Sequence, residues 1–479
     1  MEVYAIPVEG KFILYRPLLR LAFIGNRAMA DLTLDLVRRE AARAGDDGRR
    51  AVQEATNRSG ASHDDQGQAA DWVRSIGFLE PDPSPPPPPS PVYRPTTAVL
   101  LLTSRCNLRC TYCYARGGEG PAQDLSPSVA RAVIDQVHDN AVEVGQPYFD
   151  LTFHGGGEPL QAWATLQEAV AYARSKSLPS RISMVSNGLC TVPQREWLLH
   201  NLDSLSISFD GRAATQDRQR RSASGGGSFK AAMRTIRALD KAQFSYGIRM
   251  TATAPWREQL PEDVRFICEE TGCPAMQVEP AFNTRRGEHR GPTLEESEAF
   301  VDAFVESFEI AWKAGRQLTY SGARPWLLTS TFCTAPHAAL IVNPAGKLVT
   351  CYEVADEGHP LAHLSTVGCV VGDQVAIDDQ ARSAFSTWLE QRRAGCSGAA
   401  PNSEGCFCIW HCSGDCYPRS FAAARTLPGT SSRCHANREI TARVLLWYIM
   451  NSRTDEALGG GVWRGEGCDP QQAHLMRIT

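Results

Sequence analysis

Residues 98–113 read AVLLLTSRCNLRCTYC: an apolar run, Ala98–Thr103, that breaks into Cys106-x3-Cys110-x2-Cys113. The run has the length and continuity of a strand buried on both faces. Three thiolates at this spacing can hold a cubane iron–sulfur cluster while leaving one iron open to a further ligand. Tyr112 sets an aromatic ring beside the last cysteine, where it can shield a cluster from water. The competing reading is a structural zinc site, which would still need its fourth ligand.

Downstream of this stretch, strands and helices alternate. Strands are expected at Phe149–Phe153, Ile182–Val185, Leu205–Phe209, Tyr246–Ala252 and Ala275–Glu279. Helices are expected at Pro127–Val144, Leu166–Ser175, Gln194–His200, Phe229–Ala242 and Pro261–Thr271. Such alternation predicts an α/β fold with a parallel sheet, and six repeats suffice for a partial (β/α)6 barrel. The strands end in His154–Pro159, Ser186-Asn187-Gly188 and Asp210-Gly211, on the side where a β/α barrel keeps its chemistry.

Upstream, the Pro-rich stretch Pro81–Pro95 is a stiff spacer. Before it lie three β-like segments, Val3–Pro7, Phe12–Tyr15 and Leu21–Ile24, then a helix over Ala28–Ala44. A polar stretch, residues 45–67, and a final amphipathic helix, Ala69–Phe78, complete a separate module. From Phe332 onward cysteines and glycines dominate, which predicts a loop-rich region organised by metal. Ala442–Met450 is an apolar helix, and the tail beyond Asn451 carries no motif. The expected organisation is therefore 1–80, a linker 81–95, a barrel 96–325, a cysteine-rich domain 326–440, and a helix and tail 441–479.

The chain has 479 residues, 43% hydrophobic, with a formal net charge of −4. That balance argues against a nonspecific nucleic-acid binder. No run of eighteen apolar residues suggests a membrane span, and MEVYAIPVEG is no secretory signal, so the cytoplasm is expected. Sixteen cysteines in a reducing compartment call for a reason other than disulfides. Their clustering, three within 106–113 and five within 406–434, reads as metal ligation. Cys190, Cys268 and Cys273 read as inert core thiols.

The C-x3-C-x2-C loop, with an aromatic residue before its final cysteine, resembles that of the radical S-adenosylmethionine (SAM) superfamily. Gly156-Gly157-Glu158-Pro159, one strand later, resembles the family's GGEP loop, which binds the methionine amino group of SAM. Glycines let the backbone approach a ligand, and a carboxylate can face an ammonium. Ser186 and Asn187 resemble the ribose-contacting position. Asp210-Gly211 with Gln216-Asp217-Arg218-Gln219-Arg220 resembles the family's DG…HDxxR segment, with Gln216 in place of the usual His. The resemblance implies that Cys106, Cys110 and Cys113 hold a catalytic [4Fe–4S] cluster and that Arg220 pairs with the SAM carboxylate.

The later cysteines resemble the SPASM extension of this superfamily. Cys333, Gly346 and Cys351 fit its opening, and Cys406-x5-Cys412-x3-Cys416 with Cys434 fits its close. Residue 403, where the family has a further cysteine, is Ser, and Cys408 stands inside the x5 gap. The expected reading makes Cys408 the replacement. Cys406, Cys408, Cys412 and Cys434 then hold one auxiliary cluster, and Cys333, Cys351 and Cys416 hold the other. Both are expected to be iron–sulfur clusters of the [4Fe–4S] type. Position 339, another family cysteine, is Ala, so the second cluster keeps an open iron or recruits Cys369 or Cys396.

Residues 1–80, ending WVRSIGFLE, resemble the PqqD-like winged-helix element that binds a leader peptide as an added strand. A basic recognition helix for DNA is lacking. Together these resemblances imply a peptide maturase. A 5′-deoxyadenosyl radical would take hydrogen from a ribosomally made precursor peptide to install a crosslink, thioether, ring or epimer. Its partners would be that peptide and a flavodoxin- or ferredoxin-type reductant, with no nucleic acid and no membrane. The alternatives are a sulfatase-maturase-like formylglycine-forming enzyme and a non-catalytic, metal-organised peptide-binding protein.

Overall fold

The computed structural model describes residues 1–43, 63–282, 286, 291–354, 357–398, 405–423, 432–452 and 461–465. Most of the polar stretch 45–67 lies outside these residues.

Three antiparallel strands open the chain: β1 (Tyr4–Val8), β2 (Lys11–Arg16) and β3 (Leu21–Gly25). Helices Arg27–Arg43 and His63–Ser75 follow. The expected barrel strands are all present as β4 (Thr97–Leu100), β6 (Phe149–Phe153), β7 (Ser180–Ser186), β8 (Ser204–Ser208), β10 (Tyr246–Ala252) and β11 (Ala275–Pro280). Two short strands, β5 (Leu108–Cys110) and β9 (Arg220–Ser222), pair with each other above them. The barrel strands lie side by side in chain order and are all parallel. Phe149, Leu151 and Phe153 on β6, Ile182 and Met184 on β7 and Ile248 on β10 are wholly buried, each set on one face of its strand. Helix Phe229–Lys241, between β8 and β10, turns an apolar stripe of Ala232, Met233, Ile236 and Leu239 inward.

The structure departs from the sequence reading in four places. First, a further β/α unit ends the barrel: helix Leu294–Lys313 and strand β12 (Gln317–Thr319), parallel to β11. Its signal was present in the Thr293–Glu296 capping box and in Phe300, Phe304 and Phe308 at fourfold spacing.

Second, the sheet does not stop at residue 325. β13 (Ala339–Val342) pairs in parallel with β4, and β14 (Lys347–Val349), β15 (Thr366–Val371) and β16 (Gln374–Ile377) extend it antiparallel, to eleven strands. The cysteine-rich region is thus part of the same sheet, and it also carries the twenty-residue helix Asp379–Gly398.

Third, the Pro-rich spacer lies against this region. Tyr93 donates to the Ala339 carbonyl (2.6 Å), Ser330 donates to the Pro87 carbonyl (2.6 Å), and the Arg382 guanidinium stacks on Tyr93 at 3.5 Å.

Fourth, the N-terminal sheet keeps one core with its own helices, around Leu14, Phe23, Val37 and Val73, and turns its other face to the barrel. Ile6, Ile13, Tyr15 and Ala22 belong to the same apolar core as the barrel. Its fourth strand is β17 (Val462–Trp463), antiparallel to β3, with Trp463 wholly buried. The last long helix, Ser432–Asn451, begins ten residues before the expected start and includes Cys434. Among the described residues, no helix is long and apolar enough to cross a membrane.

Candidate active site

The cysteine loop leaves β4 and passes under the glycine loop that leaves β6. The two backbones touch: a Cβ on Gly157 would sit 2.1 Å from the Arg105 carbonyl, and one on Gly117 would sit 2.8 Å from the Gly156 carbonyl. Glycine is required at both points by contact with backbone that cannot yield. The amide of Glu158 donates to the Arg105 carbonyl at 2.8 Å. Around the thiols the loop is braced by residues that motif reading did not single out. Arg105 forms a two-pronged pair with Asp124, and Arg109 donates to the carbonyls of Cys106, Leu108 and Gly118. Arg286 reaches in from beyond β11 to the carbonyls of Cys110 (2.8 Å) and Gly117 (2.9 Å) and pairs with Glu119.

Cys106, Cys110 and Cys113 are brought together, each lying within electrostatic reach of the other two. Burial pushes the Cys106 thiol up to about 12 and the Cys110 thiol up to about 11. Such thiols become thiolates when a metal takes the place of their protons.

Tyr112 donates to Asp210 at 2.6 Å. The same carboxylate oxygen accepts from Gln219 (2.8 Å) and from Arg220 Nε (3.0 Å), and its other oxygen accepts from the Thr251 amide (2.9 Å). Arg220 is the register partner of Cys110 in the β5–β9 pair, with Nη1 at 4.0 Å from the Cys110 sulfur. Asp210 takes up Nε, so the Nη end of the fork is what remains for a ligand. Gln216 accepts from the Asp210 amide at 2.8 Å and donates to Ser228 at 3.0 Å, a buried brace beneath the loop.

Glu158 is buried where the loops after β6 and β7 meet. Its carboxylate accepts from Ser186 Oγ (2.8 Å), the Asn187 amide (2.8 Å) and the Leu160 amide (3.4 Å). It therefore locks the loop after β6 to the loop after β7, and Pro159 starts the short helical turn that it caps. Burial pushes its carboxyl up to about 7 against the pull of these donors. Asn187 in turn donates to Asn107 Oδ1 at 2.7 Å, tying the same two loops to the cysteine loop. Ser186 and Asn187 are both buried, and Gly156 holds a positive φ of 70°.

The later cysteines fall into two sets. Cys333, Cys351 and Cys416 line a cavity of about 890 Å³, with Tyr352, Glu353, Arg324 and Arg419 around them. Cys406, Cys408, Cys412 and Cys434 gather between the N-terminal sheet and helix Ser432–Asn451, joined there by Cys396. Cys369 lies on β15 opposite Lys347 and Ala376, in neither set. Cys190 bonds Thr235, and Cys273 donates to the Ala275 carbonyl, in keeping with core thiols. None of the described cysteines forms a disulfide. Among the described residues, no three His, Cys, Asp or Glu side chains are arranged to hold a single metal ion. A cubane makes a different demand, since each thiolate has an iron of its own. The three thiols of Cys106, Cys110 and Cys113 and the cation of Arg220 beside them suit such a group.

Between these sites, the interior carries polar atoms with no partner among the described residues. Both ring nitrogens of His154, Arg249 Nε and Nη2, Gln277 Oε1 and Ser321 Oγ are of this kind. Arg249 and Gln277 are register neighbours on β10 and β11, and His154 stacks on Tyr352 at 3.9 Å. Buried polar groups left unpaired cost about 1–3 kcal/mol each, so such a concentration marks a place where a ligand or water belongs.

Residues 100–264 match the family model described as the radical SAM superfamily. The chain carries a radical SAM domain. Its relatives include the sporulation killing factor maturation protein SkfB of Bacillus subtilis (strain 168), 27% identical over 275 residues, covering 57% of this chain and 63% of that protein. Another is the Fe-coproporphyrin III synthase of Methanosarcina barkeri (strain Fusaro / DSM 804), 27% identical over 290 residues, covering 58% and 67%. The chain thus spans less than two thirds of the length of SkfB. Among solved structures, native anSMEcpe with bound AdoMet superposes with a TM-score of 0.58 at 15% identity, over 73% of this chain and 98% of that one. That likeness carries the radical SAM fold beyond the matched segment.

Proposed function

We propose that the chain is a radical SAM maturase acting on a ribosomally made peptide in the cytoplasm. Cys106, Cys110 and Cys113 would hold a [4Fe–4S] cluster, with SAM bound between the loops after β4, β6, β7 and β8. The observation that carries this reading is the union of those loops: Glu158 locks two of them, Asn187 ties in the cysteine loop, and Asp210 holds Tyr112 and Arg220 beside Cys110. When bound, the cluster and SAM together supply a 5′-deoxyadenosyl radical. The chain's own residues prepare the place. Tyr112 and the buried loops would exclude water, the Arg220 Nη end would meet the SAM carboxylate, and the half-buried Gly156–Gly157 backbone would face the methionine portion.

A peptide substrate is supported by the maturation role named for SkfB and by the N-terminal strands β1–β3 with the two helices that follow them. The peptide core would reach the unpartnered polar atoms of Arg249, Gln277, Ser321 and His154. The two later cysteine sets would hold auxiliary iron–sulfur clusters, and a small reductant protein would supply electrons. The test is anaerobic: reconstitute with iron and sulfide, add SAM and dithionite, and quantify 5′-deoxyadenosine. Product from the wild type and none from the Cys106/Cys110/Cys113→Ala variant is the expected result. Equal product from both would overturn the assignment.

A further inference from the structure

The two faces of β10 differ in kind. Ile248 and Met250 enter the apolar core on one face, so Arg249 and Thr251 point to the other. On β11, Met276 and Val278 are in the core, and Gln277 and Glu279 face away from it. Arg249 is the register partner of Gln277 and of Ser208 on β8. It stands one layer below Asp210 and Thr251, which are joined at the level of the cysteine loop. Gln277 and Tyr352 both line the cavity of about 890 Å³. Arg249 lies within electrostatic reach of Tyr352 and of the His154 ring stacked on it.

Arg249 brings a permanent positive charge into this interior. Its Nε and Nη2 are buried and unpartnered, and no carboxylate among the described residues pairs with it. The acids nearby are already engaged: Arg419 pairs with Glu279 and Glu353, and Arg433 pairs with Asp415. A buried charge without a counter-charge is costly, so the counter-charge is expected from a ligand. Nε and Nη2 lie along one edge of the guanidinium, the pair of donors that grips both oxygens of a carboxylate. Beside them, Gln277 Oε1 is a buried acceptor without a donor. Both ring nitrogens of His154, which is 6% exposed, are unpartnered as well. The place therefore suits one anion flanked by groups that donate and accept hydrogen bonds, as in an acidic peptide segment. The single carboxylate of SAM has its own cation in the Nη end of Arg220, beside Cys110.

We propose that Arg249 reads a carboxylate of the peptide substrate, an acidic side chain or the free C-terminus, with Gln277 and His154 meeting the amides beside it. The inference rests on the peptide-maturase reading above and names the chemistry that its substrate presents inside the barrel.

The test uses the full chain, anaerobically reconstituted, immobilised on a column and kept with SAM but without reductant. Retention is compared for the tripeptide amides acetyl-Gly-Asp-Gly and acetyl-Gly-Asn-Gly, for the free acid acetyl-Gly-Gly-Gly, and for succinate. The Asp amide should be held about 10-fold more tightly than the Asn amide. Arg249→Met should abolish that difference, and Arg249→Lys, a cation without the fork, should keep only part of it. Arg249→Met should also melt no lower than the wild type, because it deletes an unpaired buried charge. A stronger grip on the free acid than on the Asp amide would uphold the proposal and assign the carboxylate to a chain end. Equal retention of the Asp and Asn amides, a difference that survives Arg249→Met, or a melt well below the wild type would each overturn it. So would a loss of SAM binding in Arg249→Met, measured by equilibrium dialysis, as large as the loss of peptide binding. Succinate held as tightly as the Asp amide would keep the carboxylate site and end the peptide reading.

Discussion

The cysteine loop of Cys106–Cys113 and the C-terminal cysteine sets are assembled by opposite means. Cys106, Cys110 and Cys113 lie within eight residues, and the loop carrying them is shaped by its own neighbours: Arg105, Arg109, Gly117 and Gly118. The set around Cys406 is assembled from a helix, a loop and a second helix, and it lies against a sheet formed by the first twenty-five residues. One site is a property of a segment; the other is a property of the fold. Spacing can therefore pick out the three thiols of the first and cannot pick out a set of four within the second.

That contrast can be broken by experiment, starting with the largest effect. Cys106→Ala should abolish 5′-deoxyadenosine formation while leaving auxiliary iron unchanged. Loss of all iron would show that the two regions do not load independently. Trp463→Ala empties a wholly buried site against Tyr15 and Tyr448 and should cost about 3–5 kcal/mol in denaturant unfolding. It should also loosen auxiliary iron before catalytic iron, because Cys408 borders the same sheet; equal loss from both sites would count against long-range assembly. Asp210→Ala releases Tyr112, Gln219 and Arg220 at once and should lower SAM cleavage about 10- to 100-fold with iron retained.

A smaller effect is expected at Glu158. Its carboxyl is raised by burial to about 7 in the folded protein, so the stability it contributes is present below the ordinary carboxylate range and fades as pH rises through about 7. Glu158→Gln should flatten the stability change between pH 5 and pH 8 in iron-free protein; an unchanged slope would remove Glu158 as its source. The smallest effect belongs to Cys369→Ser, which should alter neither iron content nor cleavage.

The parallel strands were legible because each is a short apolar run ending in a polar turn, from Phe149–Phe153 before the glycine loop to Ala275–Pro280. Helix Leu294–Lys313 was legible in principle, through its capping box and phenylalanine spacing, and went unread. The pairing of β13 with β4 was not legible, since nothing within Ala339–Val342 records a partner 242 residues earlier. In the site, the positions of Cys106, Gly157 and Arg220 follow from motif spacing. The turn of Glu158 toward Ser186, and the reach of Arg286 to the Cys110 carbonyl, depend on where separate loops meet.

The pairing of β17 with β3 has a practical consequence. The sheet proposed to greet the peptide is finished by a strand near residue 462, so its free edge is β1, where Pro7 has no amide to offer an incoming strand. A shortened chain ending before Val462 would reopen the β3 edge, and an affinity handle fused just beyond Trp463 would pull on that sheet. Binding assays made with such proteins would report on the alteration as much as on the enzyme.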